Sequence, residues 1–406
     1  MHLRYISGIF MALVLLAGCA ATIEKPVKHT TEEPRPPLLL LSPDTIPALV
    51  DDLGGESIGE ALAKSIRYYE IVGEDISYGL GIDRVSARDM KESLLIFQEI
   101  IGSVESDEMK QKKLKEMFDI YKATGFDGKG AVLFTGYFEP VMEGSLERTE
   151  EYRHPLYRTP DDVVVVNLSK FGNRYKNDRI IGRLQNRELI PYYTRADIDG
   201  MGSLTGKNLE IAWVNDPIDL FFLHIQGSGK IRLPDGRFAE VGYDQWNGRP
   251  YRSIGKYLLD RGKLLRSELT HQTVKKYLRD NPEERSDIMN YNESYVFFRV
   301  VKGGPVGALN LSLTEGRSIA TDLNLFPKGA LALIRLRKPI FDDNGTITKW
   351  ETFSRFVLNQ DTGGAIKGPG RVDLFCGTGS DAEMIAGSLK EKGELYFLVR
   401  KKGEKK

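Results

Sequence analysis

Hydrophobic residues recur with helical spacing in the part of the chain that precedes residue 125. Ser57 and Glu60 form a capping-box pattern ahead of one apolar face, and Ser86 and Asp89 form another ahead of a second. Residues 108–122 are rich in lysine and also have a pattern typical of a helix. We therefore predict three helices in this region.

From residue 130 onward the pattern changes to short apolar runs that glycine and proline separate, which is typical of strands. Helical stretches interrupt them at about 253–262 and 270–291. Because helices do not alternate regularly with strands, the pattern favours mostly-β barrels with flanking helices over a doubly wound parallel sheet. The runs that predict strands are 131–138, 163–166, 209–214, 220–232, 295–301, 330–336, 353–359, 372–376 and 395–400.

Composition excludes several classes of protein. The chain has 406 residues, 41% hydrophobic and 28% charged, which predicts a globular protein of two or three domains rather than a disordered or fibrous one. Lys+Arg and Asp+Glu are both 57, so the net charge is zero and a nucleic-acid partner is disfavoured. Two cysteines and five histidines exclude a disulfide scaffold and a zinc ribbon.

The N-terminus has the pattern of a bacterial export signal. A short basic start and an apolar run lead to Leu16-Ala17-Gly18-Cys19, which resembles a lipobox. We expect residues 1–18 to be a lipoprotein signal peptide, Cys19 to carry lipid, and the proline-rich residues 19–48 to be an extended tether. Ala20 resembles an outer-membrane sorting residue. An ordinary signal peptide with a chance cysteine remains the alternative.

Three aspartates, Asp361, Asp373 and Asp381, lie in a glycine-rich segment near the C-terminus. Asp373 falls inside an apolar strand, where burial of the anion is costly. Its pKa should therefore rise, which suits a general acid that works near neutral pH. For Asp361 and Asp381 the residues themselves favour turn positions that bind backbone amides.

Other candidate motifs give weaker indications of function. Residues 377–382 match a dinucleotide-binding fingerprint, but too little chain follows for that fold. His224 is predicted to lie in strand 220–226 as a satisfied sheet residue, and no metal site is indicated. Cys376 is predicted to be a buried small hydrophobe rather than a nucleophile. The segments 135–140 and 226–229 end in hydroxyl, aromatic and amide groups, which suit either sugar rings or simple hairpin turns.

Several of these segments together resemble the membrane-bound lytic murein transglycosylase A (MltA) family, including its C-terminal three-aspartate (3D) domain. The matching segments are 135–140, 219–229, 251–256, 292–298 and 361–379. The resemblance implies a double-psi β-barrel domain built from 49–140 and 253–406, a smaller β-barrel inserted at 141–252, and a glycan-binding groove between them. One departure is the longer gap before Val372, where Gly370 and Arg371 are found.

The resemblance also implies an activity, cleavage of the β-1,4 bond between N-acetylmuramic acid and N-acetylglucosamine of peptidoglycan, which leaves 1,6-anhydromuramoyl ends. It makes Asp373 the catalytic residue and implies neither metal nor cofactor. It also implies a monomeric outer-membrane lipoprotein that faces the periplasm, with cell-wall synthases as candidate partners. Two alternatives stay open: a hydrolase that uses Asp361 with Asp373, and a non-catalytic glycan-binding lipoprotein. The implied supporting residues are Asp361 and Asp381, and the implied substrate-binding residues are Thr135, Gly136, Tyr137, Gln226 and Lys367.

Overall fold

The computed structural model describes residues 36–175 and 178–402. The predicted signal peptide, Cys19 and the first part of the tether lie outside the described residues. Within the described ranges, no helix is both long and apolar enough to cross a membrane. The α-helices are α1 (Ile58–Val72), α2 (Ala87–Gly102), α3 (Asp107–Met117), α4 (Pro217–Gln226), α5 (Ile254–Asp260), α6 (His271–Asp280), α7 (Pro282–Tyr291) and α8 (Ser380–Ser388).

Strands make up most of the remaining regular structure. They are β1 (Leu38–Leu40), β2 (Ser77–Leu80), β3 (Asp83–Ser86), β4 (Phe118–Ala123), β5 (Val132–Glu139), β6 (Val141–Ser145), β7 (His154–Tyr157), β8 (Val164–Asn167), β9 (Arg179–Gln185), β10 (Glu188–Pro191), β11 (Glu210–Val214), β12 (Ser228–Arg232), β13 (Phe238–Trp246), β14 (Val296–Val301), β15 (Ser318–Ala320), β16 (Leu331–Phe341), β17 (Ile347–Asp361), β18 (Arg371–Thr378) and β19 (Lys390–Arg400).

Six strands close into a barrel in the order β19-β16-β17-β15-β18-β5, because β19 pairs with both β16 and β5. Two pairs in the ring are parallel, β15 with β17 and β18 with β5. Strands β4 and β1 extend the sheet beyond β19. Alternate residues of β5 and β18, such as Phe134, Val372 and Leu374, are buried in the main hydrophobic core. The predicted fold class, mainly β with flanking helices, is confirmed.

A second sheet has the order β14-β13-β12-β6-β11-β7. It begins immediately after the barrel strand β5, since only Pro140 separates β5 from β6. Strand β14 lies beyond the predicted insert 141–252, yet it pairs with β13 inside that range. The exact domain boundaries therefore stay a prediction. A separate three-stranded sheet contains β10, β9 and β8.

The predicted helices α1 and α2 are present, and they pack against each other and on the barrel. The Ser86 side chain accepts from the Asp89 N–H as the pattern predicts. The predicted capping box at Ser57 is wrong, because that residue has a left-handed backbone and makes no cap bond. The third helix ends at Met117 rather than continuing to residue 122, since β4 begins there and pairs in the barrel sheet.

The prediction of a strand over residues 220–232 is wrong for its first half. Residues 217–226 form helix α4, which Asp216 caps through the Ile218 N–H, with Pro217 in the first turn and Gly227 in a left-handed C-cap. Its apolar residues are divided between two cores, so almost every face is buried and no helical periodicity shows. His224 therefore lies in a helix, where its Nδ1 accepts from the Val296 N–H.

Candidate active site

Two aspartates flank one residue of the barrel wall. Ala320 on the short strand β15 is the register partner of Asp361 on one side and of Asp373 on the other. Thr135 on β5 is in turn the partner of Asp373. Neighbouring strands lie about 4.8 Å apart, so the two aspartate Cα atoms are separated by about 10 Å. Since Val372 and Leu374 point into the core, Asp373 lies on the outer face of the barrel.

Asp373 is held through one of its two oxygens. The Thr135 hydroxyl donates a hydrogen bond to Oδ1, and Nη2 of Arg371 approaches the same atom at 3.3 Å. The side chain is 20% exposed. Burial raises the pKa of Asp373, whereas the Thr135 hydrogen bond and the Arg371 charge oppose that rise. The predicted direction for a general acid is therefore present.

Asp361 has both oxygens occupied. Its Oδ1 accepts from the backbone N–H groups of Ala308 and Thr362 at 2.9 and 2.8 Å, and its Oδ2 accepts from the Tyr137 hydroxyl at 2.8 Å. Burial raises the pKa of Asp361 to about 6, and the nearby Asp373 charge adds to that rise while the three donors oppose it. The backbone-amide hydrogen bonds that the sequence predicts for Asp361 are therefore present, at the end of β17.

Three other residues predicted for the site, Asp381, Lys367 and Gln226, take no part in the described hydrogen bonds of Asp373. Asp381 is exposed in the first turn of α8, where its described hydrogen bond is with the Ser380 hydroxyl. Lys367 is exposed in the loop between β17 and β18. Gln226 ends α4, and its Oε1 accepts from the Phe138 N–H at 3.2 Å, so it joins the second sheet's helix to barrel strand β5. No described hydrogen bond connects these three residues to Asp373, and their roles stay predictions.

Gly136 lies between Thr135 and Tyr137 on β5 and faces the opposite way. A Cβ atom at this position would lie 2.6 Å from Cα of Ala386 in α8 and 2.9 Å from Sγ of Cys376. Helix α8 therefore packs directly on the backbone of the strand that carries three of the predicted substrate-binding residues. Cys376 is buried beneath it, as predicted, and burial raises the pKa of its thiol to about 12.

Sequence reasoning missed the role of Arg371, which it treated only as part of a longer loop. Arg371 begins β18 two residues before Asp373, and strand alternation alone places the two side chains on one face. Glu139, whose contact with substrate was left open, is fully buried. Its Oε2 accepts from the Thr378 hydroxyl at 2.8 Å and lies 3.8 Å from the Lys230 ammonium. A fully buried carboxylate cannot touch a ligand in this conformation.

Two family models and several known proteins match this chain. The family model described as the MltA specific insert domain matches residues 133–299, and the 3D domain model matches residues 317–399. Membrane-bound lytic murein transglycosylase A of Escherichia coli (strain K12) is 32% identical over 284 residues, which are 69% of each chain.

Solved structures with similar folds include a membrane-bound lytic murein transglycosylase from Agrobacterium tumefaciens, with a TM-score of 0.72 and 27% identity over 89% of this chain and 97% of that one. Escherichia coli MltA with bound chitohexaose has a TM-score of 0.65 and 26% identity, with 90% of this chain and 95% of that one covered. The sequence and fold together show that this chain belongs to the membrane-bound lytic murein transglycosylase A family.

Proposed function

We propose that this protein is a peptidoglycan lytic transglycosylase that cleaves the β-1,4 bond between N-acetylmuramic acid and N-acetylglucosamine and leaves a 1,6-anhydromuramoyl end. The observation that carries the proposal is the partly buried Asp373, whose carboxyl lies on the outer barrel face with only Oδ1 engaged. The names of the relatives and the chitohexaose bound to one of them support a glycan substrate.

One carboxyl group is sufficient for this reaction. Protonated Asp373 donates to the glycosidic oxygen as the bond to C1 breaks. The carboxylate then accepts the proton of the muramoyl C6 hydroxyl, which attacks C1 of its own ring. Because the nucleophile is tethered, no water molecule has to be positioned, and effective molarities of about 10⁵ M or more show how much tethering contributes. The step needs neither a metal nor a cofactor.

A hydrolase would need a second carboxylate as base or nucleophile. Asp361 is the candidate, but it already accepts three hydrogen bonds, two of them from backbone amides. It is therefore engaged as an anchor for the start of the loop after β17, and both of its oxygens already accept hydrogen bonds. This arrangement favours the transglycosylase over the hydrolase.

Digestion of purified peptidoglycan sacculi, with product masses read by mass spectrometry, tests the proposal. We expect anhydro products from the wild type, none from Asp373→Asn, and measurable anhydro products from Asp361→Asn. Asp343→Asn makes the same change in the exposed β16–β17 hairpin and should behave as the wild type. Folding is checked by circular dichroism, and binding by co-sedimentation with sacculi.

Each other outcome has a distinct meaning. Products one water heavier, with reducing ends, would identify a hydrolase. Binding without any product from the wild type would identify a glycan-binding protein. Wild-type activity in a folded Asp373→Asn protein would refute the assignment of the acid.

We further propose that lipid on Cys19 anchors a monomer to the inner leaflet of the outer membrane, facing the periplasm. The lipobox-like residues 16–19 and the words "membrane-bound" in the relatives' names support this. Full-length protein and Cys19→Ala, expressed with radiolabelled palmitate and fractionated, test it. We expect label and outer-membrane recovery only for the wild type, and label in neither protein would contradict the proposal.

A further inference from the structure

We propose that Arg371 is a positioning residue for Asp373. Together with Thr135 it occupies Oδ1, so that Oδ2 is the oxygen that donates the proton and later accepts one back. This inference rests on the proposed function, because it assigns atoms within that reaction. It assigns a role to Arg371, which lies between the first two aspartates of the glycine-rich segment.

The guanidinium is placed by the strand and by two acceptors. Nη2 of Arg371 lies 3.3 Å from Asp373 Oδ1 and 3.1 Å from Thr135 Oγ1, and the Thr135 hydroxyl donates to the same Oδ1. Thr135 is 236 residues away in the chain and is brought beside Arg371 and Asp373 by the parallel pairing of β5 with β18. The three side chains therefore form a closed triangle on the outer face of the barrel.

Asp373 is the partner that holds this arginine. Among the described residues, no other carboxylate lies within 4.0 Å of the guanidinium, and Nε of Arg371 is buried without a hydrogen-bond partner. An arginine that served only to stabilise the fold would be expected to satisfy its buried donors. Arg371 instead leaves one donor unpaired while two contacts go to the acid and its hydroxyl partner.

The two donors determine where the proton can reside. Oδ1 already accepts from an N–H and an O–H group, so it has no free lone pair for a proton of its own. No hydrogen bond among the described residues reaches Oδ2. In the first step the Oδ2–H bond breaks while the glycosidic oxygen gains the proton and its bond to C1 breaks. In the second step the proton of the C6 hydroxyl returns to Oδ2 as O6 bonds to C1.

The charge of Arg371 also acts on the intermediate stage. Between the two steps Asp373 is an anion, and a cation at hydrogen-bond distance stabilises that anion. The same cation opposes the effect of burial on the pKa of Asp373. Without it the acid should hold its proton to higher pH, and it should be a weaker proton donor with a less well-oriented carboxyl group.

The test measures pH profiles of anhydro-product release from soluble glycan strands by Arg371→Gln, Arg371→Lys and the wild type. For Arg371→Gln we expect the basic limb of kcat/KM to move up by about one pH unit and kcat at neutral pH to fall about tenfold, with KM within about twofold. Arg371→Lys, which keeps the charge, should keep the wild-type limb. Lys390→Gln removes a positive charge from the register partner of Thr135 on β19 and should leave the profile unchanged.

Three outcomes would overturn the inference. The first is a folded Arg371→Gln protein whose basic limb and kcat are unchanged. The second is a raised KM with unchanged kcat, which would mean that Arg371 binds substrate directly. The third is a basic limb that moves as far in Arg371→Lys as in Arg371→Gln. If Arg371→Gln fails to fold, Arg371→Met, which also removes the charge but keeps an apolar stem of similar length, takes its place with the same expected shift. Asp373→Asn distinguishes these outcomes from failure of the proposed function. An active Asp373→Asn protein would refute the assignment of Asp373 as the acid. An inactive Asp373→Asn protein, together with an unaffected Arg371→Gln protein, would refute only the positioning role of Arg371.

Discussion

The Tyr137 hydroxyl donates a hydrogen bond to Asp361 across two intervening barrel strands, with 2.8 Å between the oxygens. Tyr137 is the register partner of Phe375 on the strand that carries Asp373, and the two rings lie 5.3 Å apart. The tyrosine thus extends over β18, the strand that carries Asp373, to the end of β17. Burial and the neighbouring Asp361 charge hold the pKa of Tyr137 well above its ordinary value, so its hydroxyl stays a donor.

Replacing Tyr137 with phenylalanine should therefore weaken both the fold and the site. A hydrogen bond to a charged acceptor contributes about 1.5–3 kcal/mol, and its loss leaves Asp361 with backbone donors only. We expect the free energy of unfolding in urea to fall by about that amount, together with a reduced rate of product release. Tyr243→Phe, at an exposed tyrosine, is the matched control. Equal stability of Tyr137→Phe and the wild type would show that the bond contributes nothing.

Asp361 should give the protein a distinctive pH dependence. Its pKa is raised from 3.8 to about 6, so the folded state binds its proton more tightly than the unfolded state does. That contribution is fully present below about pH 4 and is lost as pH rises through 6, with a magnitude of about 3 kcal/mol. Asp361→Asn should lack it. Urea unfolding of the wild type and Asp361→Asn at pH 4.5 and 7 measures the free energy of unfolding of each protein. A difference in stability between the two proteins that is the same at both pH values would contradict this prediction.

Gly136→Ala should disturb α8. The added Cβ would meet helix backbone at 2.6 Å, so the helix or strand β5 must shift. Overpacking of this kind costs about 1–3 kcal/mol, and we expect lower activity because Thr135 and Tyr137 flank the position. Gly59→Ala, on an open helix surface of α1, should instead be neutral or stabilising by up to about 1 kcal/mol. Thermal unfolding compares the two, and equal shifts would be inconsistent with the packing.

Glu139→Gln should be tolerated. The carboxyl group is fully buried, Oε1 has no hydrogen-bond partner, and burial raises its pKa. Wild-type stability therefore falls as pH rises through that raised pKa, whereas the variant lacks this loss. At pH 7 we expect the variant to be as stable as the wild type or more so, with activity retained. Glu143→Gln, at an exposed ion pair on β6, is the control. A large loss of activity only in Glu139→Gln would place Glu139 in the reaction.

Local patterns predicted much of the fold. The apolar run around Asp373 located β18, and the capping residue Ser86 located α2. The same patterns failed at α4, where residues 217–226 are apolar on nearly every face. A buried helix and a buried strand have similar composition there, and only the two cores that the helix separates decide between them.

The sequence by itself determined the family, the mostly-β class and the aspartate on which the proposed reaction depends, because these follow from residue identity and from periodicity over a few positions. Only the tertiary structure decided that Asp361 and Asp373 flank Ala320, that Thr135 meets the acid from 238 residues away, and that Arg371 shares the same oxygen. The register of distant strands is set by closure of the barrel and by its core. A local pattern states which face a residue takes, and it contains no information about which strand will lie beside it.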